Sequence, residues 1–443
     1  MPYKRNYGPL LGSVYHANGT KAELQVPDLD DPTHPASRSL MPGRLVPRTW
    51  QHDPTLDAPA KYRRACGYEA FVPDELSSLV VHLDARLAGL VHEAEEAIRI
   101  LNHEGGETLA PLARLLLRTE SIVSSKVEGM QMGVRELARA EAKAESGIEP
   151  GPTAKEVLAN IDAMVLAVDE AAEMEAFGVR EILAIHKRLM ERAPHRHIAG
   201  TLRTGQNWIG GNDYNPCGAG FVPPPREEVD RLLADLCATI DDETLSPLVQ
   251  AALVHAQFET IHPFDDGNGR TGRALVHVVL RRRKIATHFI PPVSVVFAGA
   301  RDRYIAGLER FRGDGVVEWI EHFATATMRA ARLARAHVAA VRALQERWRA
   351  LLRATERPPR ADAAAWAIID LLPAHPMISA PVATVATGRA KSRVYEGLEQ
   401  LVGARVLLPL SEGKRNRWWE AAGLLDSIGS LEAGRLPATD ATP

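Results

Sequence analysis

Cysteine is scarce in this 443-residue chain: Cys66, Cys217 and Cys237 are the only three, and none falls in a C-x-x-C pair. That usage argues against a disulfide-stapled scaffold and a thiolate zinc site, and it fits a reducing compartment. A surplus of charge is missing too. Lys and Arg total 53 against 56 Asp and Glu, a net charge of −3. Bulk charge therefore grips neither nucleic acid nor an anionic membrane, and an acidic disordered chain is excluded. No apolar run approaches the roughly 18 residues of a membrane helix, and the N-terminal MPYKRNYGPLLGSVYH lacks the apolar core of a secretory leader. These absences predict a cytoplasmic protein with no membrane partner. What is present is an ordinary globular complement, 45% hydrophobic and 25% charged. At about 150 residues per domain, the length suggests two or three units.

Residues 1–60 mix Pro, Gly, Asp and His without a sustained period, and Asp31-Pro32 and Asp53-Pro54 break them repeatedly, so they read as an extended or partly disordered arm. From 68 to about 147 the pattern turns helical, with Leu76, Leu79, Val80, Leu83, Leu87 and Leu90 spaced as one buried helix face. Helices are predicted over 108–126, 134–145, 154–172, 179–192, 226–240, 247–260, 270–283, 301–312 and 317–355. Between them, 206–223 carries two short β-prone pieces around a Gly/Asn/Asp-rich turn and reads as a hairpin.

After Pro358-Pro359 come helices over 361–372, 381–386 and 389–402, then strand-like 406–410 and 417–420 around Ser411-Glu412-Gly413. That order is the winged helix-turn-helix arrangement. The expected organisation is an arm (1–60), an N-terminal helical region (61–150), a helical core (151–330), a linker helix (331–357), the winged unit (358–430) and a tail (431–443). The fold class is mostly α.

The informative stretch is His262-Pro263-Phe264-Asp265-Asp266-Gly267-Asn268-Gly269-Arg270-Thr271-Gly272-Arg273. Ser246 and Pro247 open the helix before it, and Pro263 ends that helix. The motif is thus a loop whose glycines lie at the N-terminus of the next helix, where unpaired N–H groups and the helix dipole favour an anion. Gly267 and Gly269 permit close backbone approach, and Arg270 and Arg273, three apart, can both face a polyphosphate. Asp266 is a hard oxygen ligand of the kind Mg²⁺ accepts beside phosphates, and His262 can take a proton from a hydroxyl. The dinucleotide fingerprint formally matched by Gly267, Gly269 and Gly272 fails, because a helix precedes it and residues 274–301 contain no Asp or Glu. A P-loop fails for want of Gly-Lys-Ser/Thr.

These twelve residues resemble the signature of the Fic family, H-x-F-x-D/E-G-N-G-R-x-x-R, at every fixed position. The resemblance implies transfer of AMP from ATP to a Ser, Thr or Tyr hydroxyl of a target protein or of the chain itself, with release of pyrophosphate. His262 would be the base and Asp266 the Mg²⁺ ligand. Gly267, Asn268 and Gly269 would cradle the phosphates, Arg270 and Arg273 would bind their β/γ end, and Thr271 and Gly272 fall in the same nucleotide-binding turn. Gly269 stands where the kinase-like Doc relatives carry Lys. The segment Gln206-Asn207-Trp208-Ile209-Gly210-Gly211 through Phe221-Val222-Pro223 resembles the family's flap, which covers the nucleotide and offers a strand edge to the target. Tyr304 resembles a position beside the adenine. Some relatives have Asn about eight residues later, where this chain has Phe311 and Arg312.

Ser124-Ser125-Lys126-Val127-Glu128-Gly129 resembles the family's inhibitory pattern S/T-x-x-x-E-G/N, in which Glu128 would occupy Arg273 and block ATP. Homodimers are common among such relatives. Residues 361–443 hold 8 basic against 9 acidic residues, a balance that favours protein contact over DNA, although the recognition helix carries Arg389, Lys391 and Arg393 and the wing Lys414, Arg415 and Arg417. Arg281-Arg282-Arg283-Lys284 reads as a solvated run complementing a helix C-terminus. Removal of AMP, transfer of another phosphate-linked group, and a DNA-binding regulator with a nucleotide-sensing body remain the alternatives.

Overall fold

A computed structural model describes residues 43–55, 57–103, 109–145, 147–410 and 417–437. Most of the expected arm, the turn at Ser411–Gly413 with Lys414 and Arg415, and the last six residues lie outside them.

The chain is mostly helical. It opens with an antiparallel pair, β1 (Gly43–Trp50) and β2 (Cys66–Pro73), in register from Gly43 opposite Pro73 to Trp50 opposite Cys66. This pair corrects two expectations. Residues 43–50 are a strand and not part of a structureless arm, and Tyr68–Pro73 are extended rather than helical. Leu76 lies in a 3₁₀ turn, Val80 is 62% exposed, and only Leu87 and Leu90 belong to the following helix. The i, i+3, i+4 spacing of leucines is produced by an irregular segment laid on the core.

The helical body comprises α1 (Ala85–His103), α2 (Ala110–Val127), α3 (Val134–Glu145), α4 (Pro152–Val165), α5 (Val179–Met190), α6 (Arg226–Asp241), α7 (Pro247–Ile261), α8 (Asn268–Arg282), α9 (Val293–Gly299), α10 (Arg301–Phe311) and the long α11 (Val316–Arg353). Helix α9 was not anticipated, and a π-turn over Leu166–Glu170 extends α4. Every residue of α7 from Leu248 to Ile261 is buried, as expected of a helix apolar on most sides. Ser246 caps it by accepting the N–H of Val249, and Pro247 follows at its first turn. Helix α8 packs on α7, α2 packs against α4, α8 and α9, and α1 lies along α11. The run at the end of α8 is only partly solvated, with Lys284 exposed and its arginines half-buried. Arg282 donates to the carbonyls of Ala172 and Met174 and pairs with Asp241, and Arg283 donates to Leu245 O and Gln250 Oε1.

The C-terminal part comprises α12 (Ala364–Leu371), β3 (Met377–Ser379), α13 (Ala380–Thr387), α14 (Lys391–Gly403), β4 (Leu407–Pro409), β5 (Trp418–Ala421) and α15 (Leu424–Glu432). Its antiparallel sheet has the order β3-β5-β4. Ser379 caps α13, and Gly388 (φ 63°) ends it in the left-handed conformation. Helix α15 docks on α11, α2 and α3. Lys126, in the last turn of α2, pairs with buried Glu432 at 2.6 Å, and Arg135 of α3 reaches Glu420 and Asp426. Among the described residues no helix is long and apolar enough to cross a membrane.

The cysteines depart from expectation. Cys66 and Cys217 form a disulfide across 151 positions, although nothing in their spacing pairs them.

Candidate active site

The loop between α7 and α8 is built from its own backbone outward. His262 caps α7 with φ 48°, a left-handed conformation rare outside glycine, and this turn directs the chain away from the helix axis. Three side chains hold it there, those of Arg203 and Asn268 buried and that of Asn207 partly so. Arg203 donates its Nε to the His262 carbonyl and its backbone N–H to Pro263 O, both at 3.0 Å. Asn207 Nδ2 donates to the carbonyls of His262 (3.1 Å) and Phe264 (2.9 Å). The Asn268 side chain closes the loop, accepting Phe264 N–H at 2.9 Å and donating to Phe264 O at 2.8 Å. Asn207 and Asn268, both read from sequence as nucleotide contacts, thus spend their amides on bracing the loop.

Phe264 stacks on His186 at 3.6 Å. His186 accepts Gly200 N–H on Nδ1 and meets Asp266 O with Nε2, an arrangement that requires a neutral ring. Burial holds its pKa down at about 4.

Gly267 (φ 79°) turns the chain into α8, and the first intrahelical bond is Thr271 N–H to Gly267 O. The amides of Asn268, Gly269 and Arg270 precede that bond and belong to the anion-attracting helix end. The Arg270 side chain is 2% exposed, with Nε and Nη1 lacking any partner and Asp266 Oδ1 3.6 Å from Nη2. Unpaired buried guanidinium donors are costly unless an anion meets them, so the residues fit a polyphosphate. The Asp266 carboxylate is half exposed at the lip, its nearer partner being the adjacent Gly267 N–H. No three metal-ligating side chains cluster among the described residues. One free carboxylate beside an anion site suits Mg²⁺ that takes its remaining ligands from substrate and water.

Arg273 is buried, and its Nε and Nη2 are engaged. Nε meets Ser124 Oγ at 2.9 Å, and Nη2 meets Ser124 O at 2.9 Å and Glu128 Oε1 at 2.8 Å. Glu128 follows the last residue of α2, and Gly129 (φ 86°) turns the chain away behind it. Its carboxylate lies so close over Gly269 that a Cβ there would collide with Oε1. Burial by itself would raise the Glu128 pKa. The Arg273 guanidinium outweighs that effect and holds the carboxyl below its usual range.

Glu128, Gly269 and Arg273 border a cavity of about 770 Å³, whose lining also includes Trp208, Ile209, Gly210, Phe221, His262 and Tyr304. His262 stays neutral at physiological pH, because burial and then the nearby Arg312 cation push its pKa down to about 4. The segment expected as a hairpin is a loop closed by one bridge, in which Ile209 N–H donates to Phe221 O and Phe221 N–H to Ile209 O. Tyr304 lines the cavity, and its hydroxyl hydrogen-bonds His255 Nε2 at 2.9 Å. Asn207, Asp266, Gly267, Asn268, Arg270, Thr271 and Gly272 are not among the residues lining this cavity. Thr271 is buried, and Gly272 lies against Glu259 and Phe258 of α7.

Sequence reasoning missed Glu259, a buried carboxyl on the cavity wall whose pKa burial pushes up to about 7. It also missed the roles of Arg203, His186 and Arg312. Arg312 sits 3.7 Å over the Phe221 ring. Their contacts join segments far apart in the chain, which no local pattern announces.

The Fic/DOC family model matches residues 176–280, and the Fic/DOC family N-terminal model matches 89–169. Protein adenylyltransferase fic-1 of Caenorhabditis elegans is 26% identical over 58% of this chain and 49% of its own length. Protein adenylyltransferase Fic of Nematostella vectensis is 32% identical over 32% of each chain. The chain spans about half the length, or less, of these curated relatives. Among solved structures, a Fic family protein from Desulfovibrio desulfuricans aligns over 77% of this chain and 98% of its own, with 21% identity and a TM-score of 0.48. Both family models are matched in order over residues 89–280, with the motif loop inside the second, so this part of the chain is similar to the Fic/DOC family.

Proposed function

We propose that this chain is a protein adenylyltransferase restrained by its own Glu128. The observation that carries the reading is the Glu128 carboxylate, seated on Arg273 against Gly269 at a helix N-terminus where Arg270 still has free donors. An anion already occupies part of an anion site, and the rest of the site is unsatisfied.

With Glu128 displaced, Arg270 and Arg273 would hold the outer phosphates of ATP, and the amides at the start of α8 would face the inner ones. Mg²⁺ on Asp266 would offset phosphate charge. A target hydroxyl oxygen attacks the α-phosphorus, the bond from that phosphorus to the bridging oxygen breaks, and pyrophosphate leaves. Neutral His262 takes the hydroxyl proton. Residues 206–211 would offer the target's backbone a strand edge, so the chain's own loops are candidate acceptors as well.

Neutral ATP-dependent transfer suits a cytoplasmic setting. The C-terminal part is read as a winged helix that contacts protein. Its cations are partly engaged already: Arg389 donates to Asp362 O, and Arg393 and Arg417 pair with Glu396 and Glu399. The test is incorporation of label from α-labelled ATP by Glu128→Gly protein. The reading requires incorporation that His262→Ala abolishes, and equal labelling without His262 would refute it.

A further inference from the structure

We propose that Cys66–Cys217 is a thiol–disulfide exchange site, through which a dithiol reductant sets how firmly the flap loop is held over the cavity. Cys66 begins β2 and pairs in register with Trp50, whereas Cys217 lies in the flap loop four residues before Phe221 of the cavity wall. The bond therefore ties the rigid end of a two-stranded sheet to the loop that closes the site.

The loop is braced internally by side chains: Trp208 Nε1 donates to Asn212 O, Asn212 Oδ1 accepts the N–H groups of Tyr214 and Asn215, and Asn215 Oδ1 accepts that of Cys217. Its ladder is the single Ile209–Phe221 bridge, and Gly210, Gly211 and Gly218 all adopt positive φ. What remains is noncovalent. Trp50 meets Trp208 edge-on at 5.8 Å, Tyr62 stacks on Tyr214 at 5.2 Å, and Asn215 Nδ2 donates to Tyr62 O at 2.9 Å. The disulfide is the covalent tie in this set, and it alone limits how far the loop can move from β2 without breaking a bond.

The two sulfurs are also the reachable ones. Cys66 and Cys217 are both partly exposed, while Cys237 is buried with its thiol pushed up to about 12. Exchange thus selects one pair and leaves the third cysteine inert. A reductant thiolate attacks one Sγ, the Sγ–Sγ bond breaks, and the other sulfur leaves as thiolate. The reductant's second thiol then displaces the mixed disulfide. The protein gains two electrons and two protons, and the dithiol departs as its own disulfide.

The test uses the full chain, oxidised or treated with dithiothreitol, read by alkylation with intact mass and by amide exchange. Native alkylation should add nothing to the oxidised protein and two groups after reduction, with Cys237 reacting only on unfolding. Amides of 208–220 should exchange at least about tenfold faster once reduced. Cys217→Ser should match the reduced rate with or without reductant. Failure to gain two reactive thiols, or exchange in Cys217→Ser equal to that of the oxidised wild type, would overturn the proposal. Neither readout needs catalysis, so they can fail independently of the adenylyl-transfer reading. The effect on function does rest on that reading: in Glu128→Gly protein, reduction should raise the KM for ATP several-fold.

Discussion

Glu128 Oε1 and Arg273 Nη2 stand 2.8 Å apart, and they are brought together from the end of one helix and the second turn of another, 145 positions along the chain. The arginine is nearly fully buried and the carboxylate about one-third exposed. Breaking this pair from the Glu128 side should free the guanidinium for a phosphate. Suppressing ATP binding a hundredfold requires only about 2.7 kcal/mol, within the range of a partly buried charged pair. Glu128→Gly should therefore tighten MgATP binding by at least about tenfold in calorimetry. Unchanged affinity would show that the pair is not an ATP-competing lock.

Lys126 and Glu432 predict that the C-terminal part helps hold this lock, because their pair fixes the last turn of α2 two residues before Glu128. Glu432→Gln should raise labelling several-fold in the wild-type background and have no effect once Glu128 is Gly. A double-mutant cycle on labelling rate measures the coupling. Additive effects would assign Glu432 to stability alone.

Acid should impair the protein in a predictable way. His262 and His186 titrate near pH 4 when folded and near 6.5 when unfolded, so the unfolded chain binds more protons between those values. Their contribution to stability is full above about pH 6.5 and is lost as pH falls through about 4. Glu259 works in the opposite sense. Its folded pKa of about 7 exceeds the ordinary 4.5, so its contribution is full below 4.5 and is lost as pH rises through 7. Glu259→Gln should accordingly raise the Tm relative to wild type at pH 8 and lose that advantage by pH 5. A pH-independent difference would contradict the assignment.

Gly272 marks the closest passage of α8 over α7, where a Cβ would lie 2.6 Å from Glu259 Oε1 and 3.0 Å from Phe258. Gly272→Ala should cost about 1–3 kcal/mol through overpacking. Gly151→Ala, with open space at its Cβ, should cost far less. Comparable denaturation midpoints for the two would refute the packing account.

How much of this was legible in advance follows from where the determining contacts lie. The α7–loop–α8 unit could be read because Ser246, Pro247, Pro263 and Gly267 are local signals that act within a turn of their own position. The Ser124–Gly129 segment was legible for the same reason, as a short pattern at a helix end. The β1–β2 pair was not, since β1 has no alternation of buried and exposed residues and its partner lies beyond a turn of irregular backbone. Helix α9 is short and follows Pro291-Pro292, which reads as a break. Arg203, Glu259 and the Cys66–Cys217 bond take their meaning from partners far along the chain, so only the assembled fold shows them.

Intact-mass analysis of Glu128→Gly protein incubated with MgATP tests the central claim most directly. The account predicts a species heavier by one adenylate on the chain or on a supplied target protein, absent when His262 is also Ala. No adenylate on either, from protein shown to bind MgATP, would contradict it.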